Sequence, residues 1–221
     1  MSGNILANEK KVEKSGTLFS LDVNIRILKK NQGWASRGGV KLSYALQNFQ
    51  LDIKDKICID LGASTGGFTD VLLANGAKHI YSIDVGKGQL SWRLTKNDKI
   101  TIMDKTNVRF LALSNFDRPI DLITCDLSFI SLTKALNNIL KNINNGLQII
   151  ALVKPQFELE KDKIGRNGVV KEDTFRQEAI RKVSNYLISK NFIIESRLES
   201  PIKGVKGNKE YFIHAIKKVR K

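Results

Sequence analysis

Four charged residues in this chain each stand at the end of an apolar run. Asp60 follows Ile57-Cys-Ile, Asp84 follows Ile80-Tyr-Ser-Ile, Asp126 follows Leu122-Ile-Thr-Cys, and Lys154 follows Ile149-Ile-Ala-Leu-Val. In an open α/β sheet, ligands bind beyond the carboxyl ends of the strands, so such charges converge on one cleft. A carboxylate beside an ammonium there can hold and move a proton. One charged residue after a strand can equally mark where a sheet meets water. Asp126 and Lys154 together, on neighbouring strands beside a glycine turn, point to chemistry.

That turn is Leu61-Gly62-Ala-Ser-Thr-Gly66-Gly67, between an apolar run and a helical pattern. Glycines let the backbone approach a ligand, and the helix N-terminus follows. Asp84, 22 residues after Gly62, is placed to accept hydrogen bonds from ribose hydroxyls. The spacing is Gly-x-x-x-Gly-Gly, not the Gly-x-Gly-x-x-Gly of NAD sites. An acid such as Asp60 before the first glycine is more typical of sites for S-adenosylmethionine, which carries an amine and no pyrophosphate. Spacing alone leaves open another Rossmann-type cofactor or a structural turn.

The elements that must position these residues follow from periodicity. Apolar runs predict strands near 57–61, 79–84, 99–103, 120–126 and 147–153, alternating with helices near 66–75, 89–95, 131–142 and 173–190. Continuous apolar strands are expected where helices cover both faces of a parallel sheet. The segments at 192–196 and 210–216 read as a closing antiparallel pair. Leu42, Ala45 and Leu46 give the segment after Gly39 one apolar helical face. Residues 155–172 form a long charged loop, of a length that is usually functional or mobile. Residues 1–33 read as a separate, partly β segment, with a turn over 12–18, a strand over 23–28 and a linker over 29–33.

Composition narrows the class. The chain has 221 residues, 42% of them hydrophobic, enough for one good core with a small appendage. It has no apolar run long enough to span a membrane and no signal-peptide pattern. Cys58 and Cys125 lie in expected buried strands and read as core residues of a reducing, cytoplasmic compartment. Two cysteines and two histidines at scattered spacings give no metal site. The net charge of +15, from 37 Lys and Arg against 22 Asp and Glu, makes a polyanion, nucleic acid by default, the expected partner.

Seven ordered blocks carry a resemblance: Ser36-Arg-Gly-Gly-Val-Lys41, Gly62 to Asp70, Asp84 to Leu90, Thr106-Asn-Val-Arg109, Asp126-Leu-Ser-Phe-Ile-Ser-Leu132, Lys154-Pro-Gln-Phe-Glu158 and Ser200-Pro-Ile-Lys-Gly204. Over about residues 34–217 the chain resembles the TlyA family, ribosomal RNA 2′-O-methyltransferases with an FtsJ-type domain, often labelled haemolysins. The resemblance implies a Rossmann-like fold with a mostly parallel seven-stranded sheet, S-adenosylmethionine as cofactor, and ribosomal RNA or a ribosomal subunit as partner, with cytidine the expected nucleotide. It implies a catalytic tetrad of Lys41, Asp126, Lys154 and Glu210. Gly62, Ser64, Thr65 and Gly66 are expected around the cofactor's methionine part, Asp60 in the same turn, Asp84 at the ribose and Asn107 near the adenine. Arg37, Lys161, Lys163, Arg166, Lys203 and Lys206 are expected to meet RNA, with Lys209 near Glu210. Residues 1–33 resemble only the second, β-rich half of the family's S4-type RNA-binding domain and read as a shortened version of it, ahead of a catalytic domain over 34–221.

A ribose hydroxyl is a poor nucleophile and must lose its proton as it reacts. Lys154 is the candidate base. A lysine is ordinarily charged at neutral pH, so that role asks for burial or a second cation such as Lys41. Asp126 acts in the opposite sense and is better suited to orienting. Two rival classes remain at this level. A base methyltransferase would use Asp126-Leu-Ser-Phe129 as a loose counterpart of the Asp-Pro-Pro-Tyr motif, although both prolines are missing; methylation at cytosine C5 would need a cysteine aimed at the site, and Cys125 should point away from Asp126. A ribosome-binding protein that has lost turnover is the non-enzymatic alternative. A membrane-lytic role finds no supporting segment.

Overall fold

The computed structural model describes the chain except for residues 1–4, 13–15, 28–32, 142, 144, 205 and 219–221. The chain divides into two units, residues 1–33 and 34–221. In the first, β1 (Ile5–Ala7) pairs antiparallel with both β2 (Lys10–Lys11) and β3 (Ile25–Ile27). The strand expected over 23–28 is thus β3. The centre of the expected turn at 12–18 and most of the expected linker lie outside the described residues.

The second unit is built on a seven-stranded sheet. Its strands are β4 (Ile57–Leu61), β5 (His79–Ile83), β6 (Ile100–Met103), β7 (Leu122–Cys125), β8 (Gln148–Val153), β9 (Phe192–Glu199) and β10 (Tyr211–Lys217), in the order β6-β5-β4-β7-β8-β10-β9. The first five run parallel, and β10 enters antiparallel between β8 and β9. Strand order reverses between β4 and β7, the switch point at which such sheets open a binding crevice. Asp126 follows one of these two strands and the glycine turn the other.

Alternation along the strands sorts the core into two layers. Ile57, Ile59, Leu61, Ile123, Ile149, Ala151 and Val153 face one side, covered by α4 (Leu132–Ala135) and α6 (Asp173–Ser189). Cys58, Leu122, Ile150, Leu152 and Phe212 face the other, covered by α1 (Arg37–Phe49) and α2 (Gly67–Ala74). Two one-turn helices, α3 (Trp92–Thr95) and α5 (Pro155–Glu158), lie after β5 and β8.

Two helices are shorter than periodicity predicts. The helix expected over 131–142 stops at Ala135, although Leu136, Ile139 and Leu140 still bury their side chains. Asn137 and Asn138 follow, a residue type that favours turns over helix interiors, and Asn138 Nδ2 donates to Leu111 O at 2.9 Å. The helix expected over 89–95 begins only after Ser91, its N-cap residue.

Asp60 is not at the cofactor cleft, contrary to expectation. It shares strand parity with Cys58, so its carboxylate turns under α2 and is fully buried. It accepts hydrogen bonds from Thr69 Oγ1 at 2.7 Å and Thr124 Oγ1 at 3.1 Å, and Thr69 also contacts Ser82 Oγ at 2.7 Å. Burial pushes its pKa from 3.8 up to about 7. The folded state therefore holds a proton that the unfolded chain releases. This contribution to stability is complete below 3.8 and is lost as pH rises through about 7. Wild-type urea stability should carry a falling component across that window, with a slope of at most about 1.4 kcal/mol per pH unit. Asp60→Asn should flatten it; parallel curves for the two proteins would refute the assignment.

Candidate active site

The alternation that sorts the core also gathers the charged residues. One step beyond the ladders, Asp126 continues the parity of Leu122, Lys154 that of Ile150 and Leu152, and Glu210 that of Phe212. All three belong to the face that α1 covers. The antiparallel register pairs Tyr211 with Val153, which sets Glu210 and Lys154 at adjoining positions of neighbouring strands. Helix α1 brings Lys41 to the same face.

Local chemistry fixes where α1 begins. Ser36 Oγ caps it by accepting from Gly38 N at 3.2 Å, and Ala35 N donates to Asp70 Oδ2 of α2 at 2.8 Å. Arg93 reaches the same oxygen. A Cβ on Gly38 would lie 3.6 Å from Asp126 Oδ2, so the first turn of α1 rests over that carboxylate. Lys41, three residues on, lies on the same helical face.

The four residues form two ion pairs. Lys154 Nζ is 2.6 Å from Asp126 Oδ1 and donates to Ser128 Oγ at 2.8 Å. Lys41 Nζ donates to Glu210 Oε2 at 2.6 Å, with both residues buried. Lys41 is therefore neutralised by its own carboxylate and is not an uncompensated cation acting on Lys154. Asp126 Oδ1 meets Lys154 outside hydrogen-bond angles, and no other donor among the described residues reaches it.

Two adjoining cavities open at this end of the sheet. The larger, about 1080 Å³, runs past Asp84, Asn107 and Val108 on one side and Phe129, Gln156 and Lys161 on the other. The smaller, about 200 Å³, is lined by Ser36, Gly38, Thr65 and Lys154 among others. Gly62, Ser64, Asp126 and Ser128 line both. Gly62 has φ +85°, and a Cβ there would lie 2.8 Å from Asp126 O; the turn and the Asp126 segment touch where only glycine fits. Asp84 accepts from Ser64 N at 2.9 Å and Gly86 N at 2.8 Å, one amide to each oxygen, which leaves lone pairs for hydroxyls. Asn107 accepts from Arg109 N at 3.1 Å.

Of the expected cofactor residues, Gly62, Ser64, Thr65, Asp84 and Asn107 line these cavities. Gly66 lines neither. It takes φ +95° as the N-cap of α2, and a Cβ there would fall 2.4 Å from Leu94 Cδ1. Its freedom serves packing against α3.

The expected RNA-facing residues separate by partner. Lys161 lines the larger cavity, and Arg166, Lys203 and Lys206 are exposed. Arg37 is exposed and donates to Lys203 O at 3.1 Å. Lys163 is committed to Glu178 at 2.6 Å, a hydrogen bond that holds its pKa above the ordinary lysine value. Lys209 pairs with Glu199 at 3.0 Å.

Several residues were not singled out from the sequence. Ser128, two positions past Asp126, is one. Asn208, two before Glu210 and of the same parity, is another. Its side chain accepts from Val170 N at 2.9 Å and donates to Gly168 O at 2.8 Å, tying the long charged loop to the loop before Glu210. Arg109, Lys134 and Lys182 add cations to the larger cavity.

Residues 34–217 match the family described as FtsJ-like methyltransferase. The chain belongs to that family. It is 38% identical over 182 residues to the Mycobacterium tuberculosis 16S/23S rRNA (cytidine-2′-O)-methyltransferase TlyA, covering 82% of this chain and 68% of that protein. It is 36% identical over 217 residues to hemolysin A of Brachyspira hyodysenteriae, covering 98% and 90%. A crystal structure of a Lactococcus lactis protein described as a hemolysin superposes with a TM-score of 0.82 at 38% identity, covering 85% of this chain and 90% of that one. Family membership and the expected fold, a mostly parallel seven-stranded Rossmann-like sheet, are both borne out.

A Cβ on Gly204 would lie 2.3 Å from Glu210 Oε1, so that glycine leaves room for the carboxylate bound to Lys41. Gly204→Ala should destabilise the protein by about 1–3 kcal/mol. The same change in a Glu210→Ala background should cost at least about 1 kcal/mol less. A urea-denaturation double-mutant cycle measures this; additive effects would show that the two residues do not contend for space.

Proposed function

We propose that this chain transfers a methyl group from S-adenosylmethionine to a ribose 2′-hydroxyl of ribosomal RNA, cytidine being the expected nucleotide. The carrying observation is the Lys154–Asp126 pair at the junction of two cavities in a fold of the FtsJ-like methyltransferase family. The named activity of the tuberculosis relative supports the choice of substrate.

The residues present fit the cofactor. Ile83, Val85, Val108 and Leu127 give the larger cavity apolar walls suited to a flat base. Asp84 keeps acceptor capacity for ribose hydroxyls, and Asn107 offers an amide at the same end. Gly62, Ser64 and Thr65 form the turn towards the smaller cavity, where Asp126 has an acceptor atom lacking a hydrogen-bond donor. When bound there, S-adenosylmethionine supplies an electrophilic methyl group.

The protein's own residues manage the hydroxyl. Lys154 is buried, yet it lines the smaller cavity, so it can receive the proton that the hydroxyl loses on reaction. Proton acceptance requires the neutral amine. Asp126 and Ser128 fix the position of Nζ from two sides. The Lys41–Glu210 pair, which lines neither cavity, braces the strand end behind Lys154. Positioning of the hydroxyl in a shielded site supplies much of the rate.

Phe129 provides a place for the nucleotide's base. It is 92% exposed, at φ +65°, beside the larger cavity, with its ring centroid 5.3 Å from that of Phe157. A large exposed aromatic held in a strained conformation at a cleft mouth suits stacking on an extruded base. The exposed cations Lys161, Arg166, Lys203, Lys206 and Arg37 would meet phosphates. The small β unit of residues 1–33 would act as an S4-like accessory RNA contact, and a ribosomal subunit in the cytoplasm would present the RNA. Among the described residues, no helix is long and apolar enough to cross a membrane.

Lys154→Ala should lower methyl transfer to unmodified ribosomal subunits by about 10²–10⁴-fold, with S-adenosylmethionine affinity by calorimetry nearly unchanged. Loss of both would assign the lysine to cofactor binding. Phe129→Ala should weaken use of RNA by about 1–3 kcal/mol in kcat/KM and leave cofactor affinity intact; an unchanged kcat/KM would remove it from the substrate site.

A further inference from the structure

Glu158 is an unassigned carboxylate beside the reaction centre. It is 3% exposed, and burial raises its pKa above the ordinary value. It lines the larger cavity, but both oxygens are engaged. Oε2 accepts from Ser131 Oγ at 2.5 Å and Oε1 from Leu132 N at 2.7 Å. Lys182 Nζ lies 4.0 Å from Oε2 and donates to the Glu158 carbonyl. A carboxylate so occupied is poorly placed to exchange protons with substrate.

The residues it joins explain its position. Lys154 is the N-cap residue of α5, and Glu158 is that helix's last residue. Asp126, Ser128 and Phe129 lie in the segment between β7 and α4, and Leu132 is the first residue of α4. Ser131, the N-cap residue of α4, makes no side-chain capping bond of its own. Glu158 supplies that cap from another segment. A closed ring results. The 126–132 and 154–158 segments are joined at one end by Lys154 to Asp126 and Ser128, and at the other by Glu158 to Ser131 and Leu132.

We infer that Glu158 is a positioning residue for methyl transfer, clamping the segment that bears Asp126, Ser128 and Phe129 to the turn that bears Lys154. The inference rests on the proposed function. Phe129, at positive φ, gives the clamped segment strain to release. Freed at the Glu158 end, that segment loses its hydrogen-bonded tie to α5 there, and Ser128 no longer holds a fixed place beside Nζ. Misplacement by about 1 Å can cost about 100-fold in rate.

The test compares wild type, Lys154→Ala, Glu158→Ala, Glu158→Gln and Ser131→Ala on unmodified ribosomal subunits. It records single-turnover rate against pH, S-adenosylmethionine affinity by calorimetry, and melting temperature. Glu158→Ala should lower the rate about 10–100-fold and displace the pH profile, with cofactor affinity within about twofold. Glu158→Gln keeps an acceptor for Leu132 N, and the Ser131 hydroxyl can turn to accept from its amide, so it should stay within about threefold of wild type. A wild-type rate and pH profile for Glu158→Ala would overturn the inference. So would a folded Glu158→Gln as slow as Glu158→Ala, because charge rather than the clamp would then matter. If Glu158→Ala does not fold, Ser131→Ala decides: a slower reaction at an unchanged melting temperature supports the clamp, and an unchanged rate overturns it. Absence of transfer by the wild type would overturn the functional reading itself, and the role of Glu158 with it.

Discussion

Setting two buried ammonium groups against carboxylates, Glu210 buried and Asp126 half-buried, is the constraint that the rest of the catalytic unit serves. Each buried ion loses several kcal/mol of hydration, which a pair recovers only with close geometry and further hydrogen bonds. Lys154 meets that condition through Asp126 and Ser128, and Lys41 through Glu210. The first pair forms because β7 and β8 end side by side, and the second because α1 is laid across the end of β10. The insertion of β10 beside β8 is therefore part of the site, because it delivers Glu210 next to Lys154. The cap of α1 by Ser36, the anchoring of Ala35 on Asp70 and the room left by Gly204 serve the same end.

The separation into two pairs divides the labour. Lys154 and Asp126 reach the cavities, and their partner Ser128 spans both. Lys41 and Glu210 sit behind them and satisfy each other. The front pair faces the space a substrate would enter, and the rear pair joins α1 to the end of β10. Loops then dress this frame. Asn208 ties the long charged loop to the Glu210 loop, and Phe129 and Phe157 stand at the cleft mouth.

Much of this was legible in the sequence because ligands meet the carboxyl ends of strands, so Asp126 and Lys154 could be placed together from apolar runs alone. Asp60 has the same parity but lies inside β4, where α2 covers it, although the residue types around the glycine turn pointed to the cofactor. Gly66 went the same way: its type signals freedom at positive φ, and only the packing of Leu90 and Leu94 shows what that freedom is used for. Lys41 and Glu210 carried no local signal and rested on family resemblance. Ser128, Glu158 and Asn208 act through contacts between segments distant in sequence, which neither periodicity nor spacing encodes. The truncated helices reflect a similar limit, since apolar spacing continues through Asn137 and Asn138 where the backbone does not.

The chemical position of the transferred methyl decides between ribose and base as the acceptor. Ribosomal RNA labelled from S-adenosylmethionine by the wild-type protein should be digested with alkali and then to nucleosides. A ribose methylated at its 2′-oxygen cannot support alkaline cleavage at its own 3′-phosphate. Label is expected in alkali-resistant dinucleotides that yield a 2′-O-methylated nucleoside. Label on a base, released by alkali as a mononucleotide, would contradict it.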